Sequence, residues 1–162
     1  MMKTVTWKST DETQTEALGR ALAAELDPGT VLALRGELGT GKTVLTRGIA
    51  RGLEITEPVT SPTFTVVQEY PLPTGGWLFH LDMYRISGSD DALAFGIEEY
   101  LFVPHAITVV EWPERIEELL QVPPPPASGH SPAPVLAEIS VRHTVNGGRR
   151  FTLPQRFRRC LP

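Results

Sequence analysis

The chain has 162 residues, 41% of them hydrophobic, and a net charge of −4 with both signs spread along most of its length. That length suits one domain with a core large enough to need no disulfides, and the charge supplies no general electrostatic drive toward nucleic acid. Cys160, the only cysteine, excludes an intrachain disulfide, while residues 1–11 lack the apolar core of a signal peptide and no run approaches bilayer-spanning length, so a cytoplasmic location is expected.

Residues 4–7 read as a short strand. Ser9, Thr10, Asp11 and Glu12 then have capping-box spacing ahead of a helix reaching about residue 26, with Ala17, Leu18, Ala21, Leu22 and Leu26 as its apolar stripe. Asp27, Pro28 and Gly29 stop it and turn the chain into the apolar run Val31, Leu32, Ala33, Leu34. Next come Gly36, Glu37, Leu38, Gly39, Thr40, Gly41, Lys42 and Thr43, with the spacing G-x-x-x-x-G-K-T, followed by Val44 and a helical pattern of Leu45, Ile49 and Leu53. Glycines there let successive N–H groups turn inward at phosphates, and the helix N-terminus adds partial positive charge. In that frame Lys42 reaches the β and γ phosphates, and Thr43 offers a hydroxyl to Mg²⁺, a hard cation that takes oxygen ligands. The segment is read as a nucleoside triphosphate site.

Residues 63–70 alternate and are rich in β-branched side chains; a break at residues 71–76 leads to a second strand over 77–82. Strands joined by so short a loop are antiparallel, which makes the expected sheet mixed. A helix over residues 90–101, a buried strand over 107–111 and a short helix over 116–120 follow. The proline-rich stretch at about residues 122–134 reads as a flexible loop, with a proline-rich docking ligand as the alternative. Residues 135–141 and 150–153 read as a terminal hairpin around Asn146, Gly147 and Gly148, and Arg156, Phe157, Arg158 and Arg159 read as a solvated basic end, with an RNA contact as the alternative. The expected class is α/β: one domain over residues 1–162, a P-loop NTPase-like three-layer sandwich with a mixed, partly antiparallel sheet.

Three further clusters bear on chemistry. Ser61, Pro62, Thr63, Phe64 and Thr65 form a hydroxyl-dense loop that either orders around a γ-phosphate and its Mg²⁺ or is an ordinary turn entering a strand. Asp82, in His80-Leu81-Asp82-Met83-Tyr84-Arg85, and Glu111, before Trp112-Pro113-Glu114, each end an apolar strand with a carboxylate. Such a group ligates the metal, holds one of its waters or accepts a proton from attacking water, and residue type alone does not separate these roles. No two of the four histidines share metal-ligand spacing, so His80 is expected to be a satisfied core or sheet-edge histidine. Tyr84 and Trp112 are read as packing residues first, Trp112 also as a wall against water.

Taken together in order, the phosphate loop, Ser61–Thr65, His80–Arg85 and Val110–Glu114 resemble the TsaE family, bacterial P-loop ATPases of tRNA threonylcarbamoyladenosine biosynthesis, over about residues 5–120. The resemblance implies ATP and Mg²⁺ as ligands and the TsaD and TsaB proteins, which modify the adenosine beside the anticodon, as partners; tRNA is expected to be met only indirectly or weakly. It places Thr43 and Glu111 on Mg²⁺, Asp82 close to the catalytic centre, Trp112 near it, and Thr15, Gly148 and Arg149 near the nucleotide. The departures are the proline-rich stretch and the arginine-rich tail.

The expected mechanism is phosphoryl transfer to water: Glu37 through Val44 hold the nucleotide, Thr43 and Glu111 hold Mg²⁺, Asp82 orients or deprotonates water, and Arg85 either adds charge or pairs with an acid. With no complete water-activating apparatus evident, slow hydrolysis that changes with a partner is expected. A small-molecule kinase and a nucleotide-gated binding module without required hydrolysis are the alternatives. No N-K-x-D motif is present to read guanine, and the preference for ATP comes from the resemblance.

Overall fold

Side-chain alternation along β2 (Thr30–Arg35) sends Leu32 and Leu34 to one face of a sheet and Val31 and Ala33 to the other. β4 (Trp77–Asp82) and β5 (Ala106–Glu111) divide in the same way, with Leu78, Ile107 and Val109 on the first face and Phe79, Leu81 and Val110 on the second. Strands covered on both faces read as unbroken apolar runs, which explains why these segments were legible without a polar side. The structure, a computed structural model, describes residues 1–121, 129 and 133–162.

On the first face, α1 (Glu12–Ala23) and α2 (Lys42–Gly52) bury Leu18, Leu22, Leu45 and Ile49; on the second, α3 (Ser89–Ala94) and α4 (Glu117–Leu120) bury Ala92 and Leu120. With β1 (Thr4–Ser9), β3 (Val67–Pro71), β6 (Val135–His143) and β7 (Arg149–Pro154), the sheet order is β1-β7-β6-β2-β5-β4-β3. The pairs β2–β5, β2–β6 and β4–β5 are parallel, whereas β3–β4, β6–β7 and β1–β7 are antiparallel. This is the expected three-layer α/β architecture with a mixed sheet.

Local boundaries depart from the sequence reading where a backbone reversal interrupts a regular pattern. α1 is capped two residues later than expected: Asp11 Oδ1 accepts from the Gln14 N–H at 2.8 Å, while Gln14 Oε1 accepts from the Thr10 N–H at 2.8 Å. Ser9 therefore finishes β1. The predicted strand over 63–70 starts only at Val67, because residues 62–66 close on themselves through Val66 N–H to Pro62 O at 2.7 Å, with Val66 at φ 69°. A β-branched residue there is strained, and alternation gives no warning of it. The predicted helix over 90–101 breaks at Gly96, φ 72°, into α3 and a 3-10 turn at Ile97–Tyr100. The arginine-rich tail is not simply a solvated end: Gln155–Cys160 form a 3-10 turn that inserts fully buried Phe157 into the first core and leaves Arg156, Arg158 and Arg159 exposed. The expected flexible loop at about 122–134 falls almost wholly outside the described residues.

Two glycines set how closely α1 approaches α2. A Cβ on Gly48 would stand 2.3 Å from the Glu16 carbonyl oxygen, and one on Gly19 would stand 2.4 Å from that of Leu45. Gly48→Ala gains roughly 1 kcal/mol of helix propensity but forces the helices apart, so a net loss of about 2 kcal/mol is expected. Urea denaturation followed by circular dichroism measures it as a lowered midpoint at unchanged slope.

Candidate active site

The parallel strands β2, β5 and β4 all end at one rim of the sheet, so whatever follows them meets there. A cleft of about 590 Å³ opens at this rim. The β2–α2 loop forms its floor with Leu38, Gly39, Thr40, Gly41, Lys42, Thr43 and Val44. Gly41, φ 98°, takes the left-handed turn that starts α2, whose first N–H groups have no side-chain cap and so remain donors. Glu37 does not line the cleft; its carbonyl accepts from Thr40 Oγ1 at 2.7 Å and from Lys42 Nζ at 3.1 Å.

The Lys42 ammonium also donates to the Gly36 carbonyl and stands 4.2 Å from the centroid of the Trp112 ring. Burial pushes its pKa below the ordinary lysine value, against the opposing pull of Glu111, Glu114 and Asp82. A polyphosphate beside Lys42 would favour the charged form, replacing two loop carbonyls with a stronger acceptor.

Glu111 ends β5 and is buried. Its Oε1 and Oε2 lie 3.1 and 3.3 Å from the Thr43 hydroxyl, and its Oε2 lies 2.7 Å from His80 Nε2. Asp82 is the register partner of Glu111 on β4, but it engages different donors. Its Oδ2 accepts from Ser61 Oγ at 2.9 Å and Thr63 Oγ1 at 3.3 Å, and its Oδ1 accepts from the Tyr84 N–H at 3.0 Å. The hydroxyl loop is thus tied to one carboxylate and the phosphate-loop threonine to the other.

Trp112 follows Glu111 in the left-handed region, φ 58° and ψ 49°, a strain of order 1–3 kcal/mol for a bulky side chain. The Tyr84 ring, 5.0 Å away between centroids, holds it beside Lys42. Glu114 turns away to Arg35, 3.8 Å distant, which also pairs with Glu117 and, at 2.8 Å, with Glu138.

The opposite wall comes from α1 and the β6–β7 turn. Thr15 and Arg149 line it; Thr15 Oγ1 is 2.9 Å from Ser9 Oγ, and Arg149 Nη1 donates to Gly147 O at 3.2 Å. Gly148 is not a lining residue: a Cβ there would meet the Ser9 carbonyl at 2.6 Å, so this glycine seats the turn against β1. Thr65 is exposed outside the lining, and the Arg85 guanidinium lies 4.5 Å from the Phe64 ring centroid rather than in the cleft. Asp11, Glu12, Tyr84 and Gly147 line the cleft without having been singled out for it, and His80 touches Glu111 from beneath. Alternation back from Asp82 was the available signal for His80; the capping residues marked where α1 begins but not that Asp11 and Glu12 would face the cleft.

The donor set suits a hard divalent cation, offering the Thr43 hydroxyl and the Glu111 carboxylate side by side. Among the described residues no group of three or more His, Cys, Asp or Glu is arranged as a metal site. A cation here would therefore draw further ligands from phosphate and water, as Mg²⁺ does in nucleotide sites. No helix among the described residues is long and apolar enough to cross a membrane.

Comparison with known proteins agrees with this architecture. The family described as "Threonylcarbamoyl adenosine biosynthesis protein TsaE" matches residues 9–144. The tRNA threonylcarbamoyladenosine biosynthesis protein TsaE of Bacillus subtilis is 43% identical over 122 residues, 74% of this chain and 73% of that protein. Its counterpart from Treponema pallidum is 35% identical over 135 residues, 83% of this chain and 89% of that protein. The crystal structure of Bacillus subtilis YdiB superposes with a TM-score of 0.71 at 32% identity, covering 99% of this chain and 93% of that one. With its phosphate loop, its strand-end carboxylates and these relatives, the chain belongs to the TsaE family.

Proposed function

We propose that the protein is a magnesium-dependent ATPase that serves the formation of threonylcarbamoyladenosine beside the tRNA anticodon, acting in the cytoplasm with the TsaD and TsaB proteins. The observation that carries the enzymatic reading is the Thr43 hydroxyl 3.1 Å from the Glu111 carboxylate, beside Lys42 and inside the phosphate-loop cleft. Family membership carries the pathway.

In this reading the first N–H groups of α2 and the ammonium of Lys42 bind and orient the triphosphate, Lys42 leaving the Gly36 and Glu37 carbonyls to do so. Thr43 and Glu111 would hold Mg²⁺, which would supply neutralising charge to the triphosphate. Trp112 and Tyr84 exclude water from one side. Asp82 orients or deprotonates the attacking water, but its oxygens are already engaged by Ser61, Thr63 and the Tyr84 N–H. Hydrolysis is slow until a partner moves the hydroxyl loop. The same engagement favours a second reading, a nucleotide-gated binding module in which hydrolysis is incidental.

Phosphate release from ATP with Mg²⁺, measured with and without purified TsaD and TsaB, tests the proposal. A rate that changes with the partners supports it. Turnover indifferent to them leaves the nucleotide site and removes the pathway reading, and a phosphorylated product from a metabolite mixture would point to a kinase.

A further inference from the structure

His80 is fully buried, and among the described residues its ring makes one hydrogen bond, between Nε2 and Glu111 Oε2 at 2.7 Å. The other nitrogen, Nδ1, is buried and has no partner among the described residues. The register explains the contact: His80 pairs with Val109 and Asp82 with Glu111, so His80 and Glu111 lie one diagonal step apart on the face that carries α2.

The two nitrogens differ in what each can do. A proton on Nδ1 alone would bury an N–H with no acceptor and turn the Nε2 lone pair toward a carboxylate. A proton on Nε2 gives the carboxylate its donor and leaves only the Nδ1 lone pair, rather than an N–H, without a partner. Glu111 is itself buried and needs donors, and the charged groups near it are Lys42 and Asp82. With Oε2 held from beneath by the ring, the carboxylate faces the Thr43 hydroxyl with both oxygens, Oε1 at 3.1 Å and Oε2 at 3.3 Å.

We propose that His80 is a positioning residue: its Nε2–H anchors Oε2 of Glu111 and fixes the carboxylate against the Thr43 hydroxyl, so that the two oxygens are presented together to a divalent cation. The proposal rests on the magnesium-site reading above. It assigns different work to the two strand-end acids, since a carboxylate pinned by a histidine donor is arranged to hold a cation, whereas Asp82 is engaged by the hydroxyls of Ser61 and Thr63.

The test uses the full chain as wild type, His80→Leu, which keeps apolar bulk without a donor, and His80→Gln, which returns an amide N–H at similar reach. Mn²⁺ affinity is titrated by electron paramagnetic resonance with ADP present, and ADP affinity is measured separately by calorimetry in EDTA. The expected result is Mn²⁺ affinity weakened about tenfold in His80→Leu and restored to within about threefold in His80→Gln, with metal-free ADP affinity unchanged. Equal losses in both variants, or equal losses with and without metal, overturn the positioning role. Wild type that binds ADP but no Mn²⁺ overturns the magnesium-site reading itself, and the proposal with it. Should the variants fail to fold, ¹⁵N nuclear magnetic resonance of the wild-type ring decides: a proton on Nε2 supports the proposal, and one on Nδ1 in its place overturns it.

Discussion

Replacing Lys42 with alanine is expected to lower phosphate release from MgATP by about 1000-fold, the scale seen when a positioned charge is taken from a transition state. The residue is buried at the cleft floor with its ammonium on two loop carbonyls and over the Trp112 ring, so in the proposed nucleotide site its removal would take away the cation set to meet the phosphates. Nucleotide affinity falls as well, because the same charge is used before and during the reaction. Circular dichroism and thermal melting establish that the variant remains folded, and steady-state phosphate release gives the rate. A variant that turns over at the wild-type rate would remove the phosphate loop from the chemistry altogether.

Asp82→Asn separates the two strand-end acids. It keeps the size of the side chain and one acceptor oxygen but loses the charge and the second acceptor. Turnover is expected to fall about 100-fold or more, while Mn²⁺ affinity, which the proposed site assigns to Thr43 and Glu111, is expected to stay near the wild-type value. The variant also loosens the hydroxyl loop, since Ser61 and Thr63 both donate to Asp82 Oδ2. Hydrogen exchange over residues 61–66 is expected to quicken. If exchange quickens while turnover holds, Asp82 latches the loop and another group activates water.

Much of the site could be read from short windows of sequence. The phosphate loop is a run of consecutive residues whose glycines and lysine act through geometry set within a single turn, so its spacing transfers directly to a cleft floor. Asp82 and Glu111 were visible as the acidic ends of apolar strands, for strands that end at a common rim bring their last residues together. Arg85 and Thr65 were legible as residue types but not as positions, because a side chain that follows a strand end can fold back, as Arg85 does onto Phe64. Glu37 meets the loop through its carbonyl, which accepts from Thr40 and Lys42, and no side-chain pattern announces that.

The sequence by itself determined most of the elements though not their bounds, the phosphate-loop motif, the antiparallel β3–β4 hairpin and the α/β class, since each follows from periodicities and turn residues a few positions apart. Tertiary structure alone decided the strand order, the burial of Phe157, the left-handed Val66 and Trp112, and the meeting of Thr43, His80 and Glu111 across long stretches of chain. The physical reason is that neighbours in the chain set local backbone preference, whereas the partner of a buried polar atom is set by which strands pack side by side and in what register.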